Sequence, residues 1–436
     1  MLNQSKRLLI FILLIIFYAS KVLAGEATQD PIRNKFLTGQ VEQVSIITII
    51  DEVLKNNPEL AAARSRRDAA FNRVPVARSL NDPMVGIDFE GIEKGRLDIG
   101  KYMDVEYMIS QEIPFPGKLS LRGKVALQEA KMVDADYNAK ERDIFARAKS
   151  VYYDLYMLDR AIEVNQQNRE FLEQFARVAE TRYATGMSSQ QDVLKAQVEL
   201  AKLANELITL GQERQTAIAK LNALLNRPTR SPLEIKSEVP ETEFSTEWDE
   251  LGGLTLEHRP ELKAMEYSIK RAESSLALAR LEYMPDFTTR IEARQFDGEG
   301  GIREYDVFLG VNVPIWFWTK QKYQVKEAKD NLEEAKALYQ TMKNNVLFEV
   351  QDALVRVEST QRLSKLYTTG VLPQAQQALE SSQIGYQTGK VDFLSLLDSV
   401  RTFKDFQLEY YESIVKFEMA FAELEKAVGM TLGGMK

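Results

Sequence analysis

Asn57-Pro58-Glu59-Leu60 is echoed 202 residues later by Arg259-Pro260-Glu261-Leu262, and the echo sets how the rest of the chain is read. Ala77 and Arg78 return as Ala279 and Arg280, Pro83 as Pro285, Asp104 and Val105 as Asp306 and Val307, and Lys118 as Lys320. Further on, Tyr183, Thr185 and Gly186 return as Tyr386, Thr388 and Gly389, now at an offset of 203. Landmarks that keep one spacing from Asn57 to Gly389 mark an internal duplication, which outranks local readings in a long chain. A length of 436 residues would otherwise suggest two or three domains. The duplication predicts instead one unit written twice, with repeat 1 at 58–227 and repeat 2 at 260–430. Between them, Pro228, Pro232 and Pro240 mark 228–259 as a linker or equatorial segment, loop with at most short elements. Residues 25–57 form an N-terminal segment and 431–436 a tail.

Within each copy the hydrophobic period changes in the same order. A short helical stretch from Pro58 stops at Asn81-Asp82-Pro83, since proline disfavours the helical region for the residue before it. Alternation follows, with Val85, Ile87 and Phe89 opposite Gly86, Asp88 and Glu90, then Val105, Tyr107 and Ile109 opposite Asp104, Glu106, Met108 and Ser110. The second copy alternates likewise, so strands are expected at about 84–92, 102–113, 286–296 and 303–314. Long proline-free helices are expected at 118–183 and 188–227, where Ala148, Val151, Leu155, Leu158 and Ile162 step as a coiled-coil seam. Their counterparts are 320–386, with a kink near Gly370 and Pro373, and 391–430. Gly186 and Gly389 close the long helices with the left-handed residue that turns a chain back.

Lys6 and Arg7 precede an apolar run from Leu8 to Ala19 that ends near Ala24, the pattern of a secretory signal at 1–24. That run is shorter than the roughly 20 residues of a membrane-spanning helix. Its removal takes away Lys6, Arg7 and Lys21 and no acid, which moves the formal charge of −8 to −11. The acidic balance argues against nucleic acid as a partner. Zero cysteines exclude disulfides, thiolate metal sites, a cysteine nucleophile and a lipidated N-terminal cysteine. The lone His258, between Glu257 and Arg259, reads as a helix-boundary residue, and scattered methionines give no soft-metal relay. No phosphate loop, nucleophile elbow or zinc-protease motif occurs, so neither enzyme activity nor a cofactor nor a bound metal is expected.

Lengths give the architecture. Residues 118–183 as one helix span roughly 100 Å, and the return and short helices, at about 60 and 36 Å, match that length end to end. The strands have the length and dyad pattern of membrane-spanning strands, yet four cannot close a barrel and open edges are not tolerated in lipid. Several copies must therefore contribute, and three would give twelve strands around a lumen lined by Asp88, Glu90, Asp104, Glu106 and Asp306. Such a lining favours cations, although any polar residue suits a wet lumen. Trp316 and Trp318 suit an aromatic belt at the membrane surface.

Taken with Asn57-Pro58-Glu59-Leu60, the run Gln111-Glu112-Ile113-Pro114-Phe115-Pro116-Gly117-Lys118, and Arg182-Tyr183-Ala184-Thr185-Gly186 leading to Asp192-Val193-Leu194, the chain resembles the TolC-type outer-membrane efflux channels over nearly its whole length. The proline-rich run is most similar to the branch serving cobalt-zinc-cadmium and copper-silver pumps. The resemblance implies a mainly α fold with a membrane β-barrel contribution: four strands per chain in a trimeric twelve-stranded β-barrel, continued by a long periplasmic α-helical barrel. It also implies an outer-membrane location extending into the periplasm, contact with outer-membrane lipid, a membrane-fusion adaptor and an inner-membrane RND pump as partners, and a passive conduit for heavy-metal cations. Multidrug efflux and type I secretion remain alternatives, as does a pore-less periplasmic coiled-coil protein. By the same resemblance Asp192 and Tyr386 match a periplasmic latch and Asp398 an acidic ring, while Arg182, Thr185, Gly186, Thr388 and Gly389 form adaptor-contacting tips. The chain departs from the family where a latch arginine is replaced by Val391, with Lys390 adjacent, and a ring aspartate by Ser395.

Overall fold

The computed structural model describes residues 43–91, 103–236, 244–245, 248–296, 298 and 300–432. The expected signal at 1–24, the turn between the first two strands and the last four residues lie outside the described residues. In chain order come β1 (Gln43–Val44), α1 (Ile46–Asn56), α2 (Pro58–Arg78), β2 (Met84–Glu90), β3 (Asp104–Ile113), α3 (Lys118–Ala184) and α4 (Gln190–Leu224). Next are β4 (Glu234–Ile235), α5 (Trp248–His258), α6 (Pro260–Leu281), β5 (Asp286–Phe296), β6 (Glu304–Asn312) and α7 (Gln321–Leu366). A π turn (Tyr367–Val371) leads into α8 (Leu372–Gln387), and α9 (Phe393–Val428) ends the chain's helices. Among the described residues no helix is long and apolar enough to cross a membrane.

The duplicated Asn-Pro-Glu-Leu motif has a mechanical meaning. Proline at the first helical position needs no N–H there, and Asn57 Oδ1 accepts the orphan N–H groups of Glu59 and Leu60 at 2.9 and 3.2 Å. Its Nδ2 donates to the Leu224 carbonyl at 2.9 Å, which ties the start of α2 to the end of α4. At the equivalent position the Arg259 guanidinium donates to the Lys426 carbonyl at 2.6 Å, near the end of α9, and to Glu349 at 2.7 Å. The short and return helices are thereby joined end to end along the long one. The 67 residues of α3 extend about 100 Å, packed against α2 and α4 of their own repeat and α6 and α9 of the other.

Repeat 2 differs from repeat 1 by a single residue, and the π turn is where it goes. Ile144, Ala148 and Leu155 return 202 residues later as Val346, Val350 and Val357, all fully buried, whereas Tyr183 returns 203 later as Tyr386. A helix absorbs one extra residue by widening one turn to i→i+5 hydrogen bonding. Pro373 follows directly as the second residue of α8, where it has no N–H to continue the pattern in which the Leu372 N–H bonds back to the Tyr367 carbonyl.

The segment at 228–259, expected as loop with at most short elements, holds two short ones. β4 pairs in parallel with β1, and α5 is an eleven-residue helix that buries Leu251 completely against Val350, Leu354 and Leu424. Gly252 and Gly253 lie inside α5, so local propensity argues against it and packing onto α7 and α9 decides. Its counterpart α1, in the N-terminal segment, buries Ile49 and Val53 against Tyr152 and Leu221. Ile49 and Leu251 are also 202 residues apart, so the duplicated unit begins before Pro58.

Candidate functional site: the sheet faces and the helical tips

The four long strands form one antiparallel sheet in the order β2-β3-β5-β6, which leaves β2 and β6 as edges. Register aligns Ile87 with Tyr107, Tyr107 with Ala293 and Ala293 with Tyr305; one row over, Val85, Ile109, Ile291 and Val307 align. Every one of these residues lies on one face, and Val85, Ile87, Val307 and Leu309 are more than half exposed. A side chain two residues along returns to the same face, so the opposite face carries Asp88, Glu106, Arg294 and Glu304 in one row and Glu90 beside Asp104 in another. Asp306 aligns with Glu292 and Met108 on that second face. Five expected lumen acids thus share one surface.

They are not all free carboxylates. Glu106 is buried beneath Arg294, with which it is ion-paired, and Arg290 pairs with Glu292 at 3.0 Å while lying over the Phe308 ring. Asp88, Glu90 and Asp306 stay exposed, so the face is acidic with two arginines set into it. On the apolar face Val105 departs from its neighbours: it is only 4% exposed, between Phe89 and Gln295.

Sheet and rods meet at a buried lysine. Lys118, the first residue of α3, is 1% exposed and its Nζ reaches Glu282, Asp286 and the Met284 carbonyl at 3.0, 2.9 and 3.1 Å. Asp286 also accepts from the Phe115 N–H at 2.7 Å. Three acceptors around one ammonium compensate its desolvation and lock the β3–α3 corner onto the α6–β5 corner. In repeat 2 the equivalent Lys320 is exposed, and so are Trp316 and Trp318, whose rings meet edge to face at 5.9 Å.

At the far end of the rods both hairpins turn through the same motif. Gly186, at φ +71°, lets the Met187 N–H reach back to the Arg182 carbonyl at 2.7 Å; Gly389, at φ +75°, lets Lys390 reach Gly385 at 2.8 Å. Thr185 and Thr388 hydroxyls cap carbonyls of their own last turns. Beyond the second turn, Asp392 accepts the Ser395 N–H at 2.8 Å as the N-cap of α9, and hydrogen bonding from the Ser395 side chain first, then from that N–H, holds its carboxyl below the usual range.

Arg182 joins the two hairpins. Its guanidinium donates to the Tyr386 carbonyl at 2.5 Å and lies 5.0 Å from the centre of the Tyr386 ring. Tyr386 is buried among Phe175, Leu396 and Phe393, and burial pushes its phenol up, opposed by the nearby Arg182 charge. Its hydroxyl has no hydrogen-bond partner of good geometry among the described residues. Asp192, half-buried in the first turn of α4, is near enough for its charge to act on that phenol but makes no direct bond to it. The structure therefore brings Arg182, Tyr386 and Asp192 together. Lys390 and Asp398 stand apart, both exposed, with Asp398 close to Arg401. Residue patterns gave no sign of two cross-hairpin ties nearby: Arg401 with Glu199, a bidentate ion pair, and Lys404 with Glu206 at 3.1 Å. Among the described residues no three His, Asp or Glu side chains group to hold a metal ion.

The outer membrane efflux protein model matches residues 49–227 and 251–430, two segments whose starts are again 202 residues apart. The chain belongs to the outer membrane efflux protein family. As such it is a passive efflux channel of the outer membrane and not an enzyme. Among relatives, this outer membrane efflux protein is 23% identical to the cobalt-zinc-cadmium resistance protein CzcC of Cupriavidus metallidurans, over 86% of this chain and 87% of that one. It is 24% identical to the pyoverdine export outer membrane protein OpmQ of Pseudomonas aeruginosa, over 74% of this chain and 68% of that one. Of solved structures, the CusC channel superposes with a TM-score of 0.77 at 17% identity, over 94% of this chain and 99% of that one. That likeness concerns the fold.

Proposed function

We propose that three copies of this channel protein close into a twelve-stranded barrel in the outer membrane, continued into the periplasm by a barrel of their helices. The observation that carries the reading is the sheet: four strands with two open edges, one face apolar and exposed, the other acidic. Neither open edge is tolerated in lipid, and closure needs strands that one chain lacks. The tips around Arg182, Thr185, Gly186, Thr388 and Gly389 face a periplasmic adaptor, and Asp192, Tyr386, Lys390 and Asp398 line the entrance that an inner-membrane RND pump feeds. The cargo is heavy-metal cations. Similarity to a cobalt-zinc-cadmium resistance protein supports this, as does a wall carrying exposed Asp88, Glu90 and Asp306. A second reading, export of an organic cargo, is favoured by the comparable similarity to a pyoverdine export protein.

Two measurements test these statements separately. Outer-membrane fractions run unheated and heated should show a heat-dissociable trimer; monomer under both conditions overturns the channel assembly. A deletion strain should lose tolerance to zinc, cobalt, cadmium or copper; unchanged metal tolerance with increased sensitivity to organic compounds overturns the metal cargo alone.

A further inference from the structure

We infer that Gly86 and Gly310 set how much bulk the duct admits, by letting Met108 and Phe308 lie flat against its wall. The inference rests on the reading above, in which the sheet's acidic face lines the lumen. Gly86 sits inside β2 and Gly310 inside β6, and neither has the positive φ that would call for glycine. Glycine weakens the interior of a strand, and where it occurs another group often approaches closely.

The approaching groups here are side chains. A β-carbon on Gly86 would stand 2.6 Å from Met108 Cε and 3.2 Å from its Cγ; one on Gly310 would stand 2.7 and 3.0 Å from Cε1 and Cζ of the Phe308 ring. Met108 is the cross-strand partner of Gly86, and Phe308 lies two residues from Gly310 along β6, so all four share the acidic face. The guanidinium of Arg290, the cross-strand partner of Phe308, lies 5.0 Å from the centre of the same ring. A side chain added at either glycine would displace a flexible thioether or a ring, and the sheet behind turns that movement toward the lumen.

The duplication places the two glycines on equivalent rungs. Gly86 pairs with Met108, and 202 residues later Thr288 pairs with Gly310. Each hairpin thus holds one glycine at that rung, on its first strand in repeat 1 and on its second in repeat 2. The rung is kept low although the residue that does so has changed strand. β2 and β6 are the edges of the sheet, so in the closed barrel the two glycine-bearing strands adjoin wherever copies meet. Gly86 and Gly310 act through Met108 and Phe308 as positioning residues, and the property they govern is the size of cargo that passes.

The chain has no cysteine, so Glu112→Cys, exposed on the same face and aligned with Thr288 and Gly310, supplies a single reporter thiol. In intact cells, its labelling by a bulky polymer-linked maleimide relative to N-ethylmaleimide measures the bulk that the duct admits from outside. Gly310→Val should lower that ratio several-fold, and Phe308→Ala in the same chain should restore it. Phe308→Ala alone should leave the ratio unchanged, because the ring already lies flat. Gly86→Val, restored by Met108→Ala, should repeat the pattern and carries the test if Gly310→Val does not assemble. A merely structural glycine would show none of this, since valine favours a strand. Heat-dissociable trimers whose ratio ignores the glycine substitutions, or is not restored by the second change, or rises with Phe308→Ala alone, overturn the inference and leave the channel standing. If neither reagent labels position 112 while trimers form, the acidic face is not the lumen wall, and the reading beneath the inference falls with it.

Discussion

Lys118 shows how much one residue can carry here. It is buried at the corner between sheet and rod, and its three acceptors belong to the connection between α6 and β5. Lys118→Met keeps the length of the side chain but leaves Glu282 and Asp286 without their buried cation, with only the more exposed Arg122 at 4.0 Å from Glu282. Breaking a buried pair this way costs about 3–5 kcal/mol. The expected result is a lower thermal unfolding midpoint and less assembled protein in the outer membrane, whereas Lys320→Met, at the exposed equivalent, should change monomer unfolding little. The position was visible in the sequence as a repeat landmark, but its role was not. Nothing in Gly117-Lys118 says that residues 164 and 168 positions away will converge on it. Arg182 is similar: its place at a hairpin tip is legible from the Thr-Gly turn, and its grip on Tyr386 is not.

Among the elements, α4 and α9 are held across the tips by Glu199 with Arg401 and Glu206 with Lys404. Hydrogen bonding from Arg401 holds the Glu199 carboxyl below its usual range. A carboxyl whose pKa is lowered by folding contributes stability above its unfolded value, about 4.3, and that contribution is lost as pH falls through the lowered folded value. Arg401→Gln should therefore lower the unfolding midpoint at pH 7, and the difference from the unsubstituted protein should shrink below about pH 4. An undiminished difference at pH 3 would show that Arg401 acts by packing alone. Element types were legible where period and length agreed, as in α3 and β5. They were illegible in α5, where Gly252 and Gly253 oppose helix and Leu251 supplies the burial that overrides them. The π turn was legible only as arithmetic, in the step from 202 to 203.

For the whole molecule, the proposed assembly makes the sheet's second face the wall of the lumen, where its charge meets a permeating ion. Arg294 neutralises Glu106 at its centre and lies within electrostatic reach of Glu90 and Asp306. Arg294→Gln removes one positive charge per copy from the proposed wall and frees a carboxylate. In planar bilayers under a salt gradient the reversal potential should move toward greater cation preference, and Glu106→Gln should move it the opposite way. Equal potentials for both variants would mean that this row does not line the conducting path.

The sequence by itself determined the duplication, the order of short helix, two strands and two long helices in each copy, and which strand residues share a face. Those properties are periodicities, and a period is carried by the side chains alone. Only the tertiary structure decided which helix α3 packs against, where the inserted residue is absorbed, that α1 and α5 exist, and which carboxylates of the acidic face are paired. Each of these depends on groups distant in sequence meeting in space, where burial and charge neutralisation outweigh local preference.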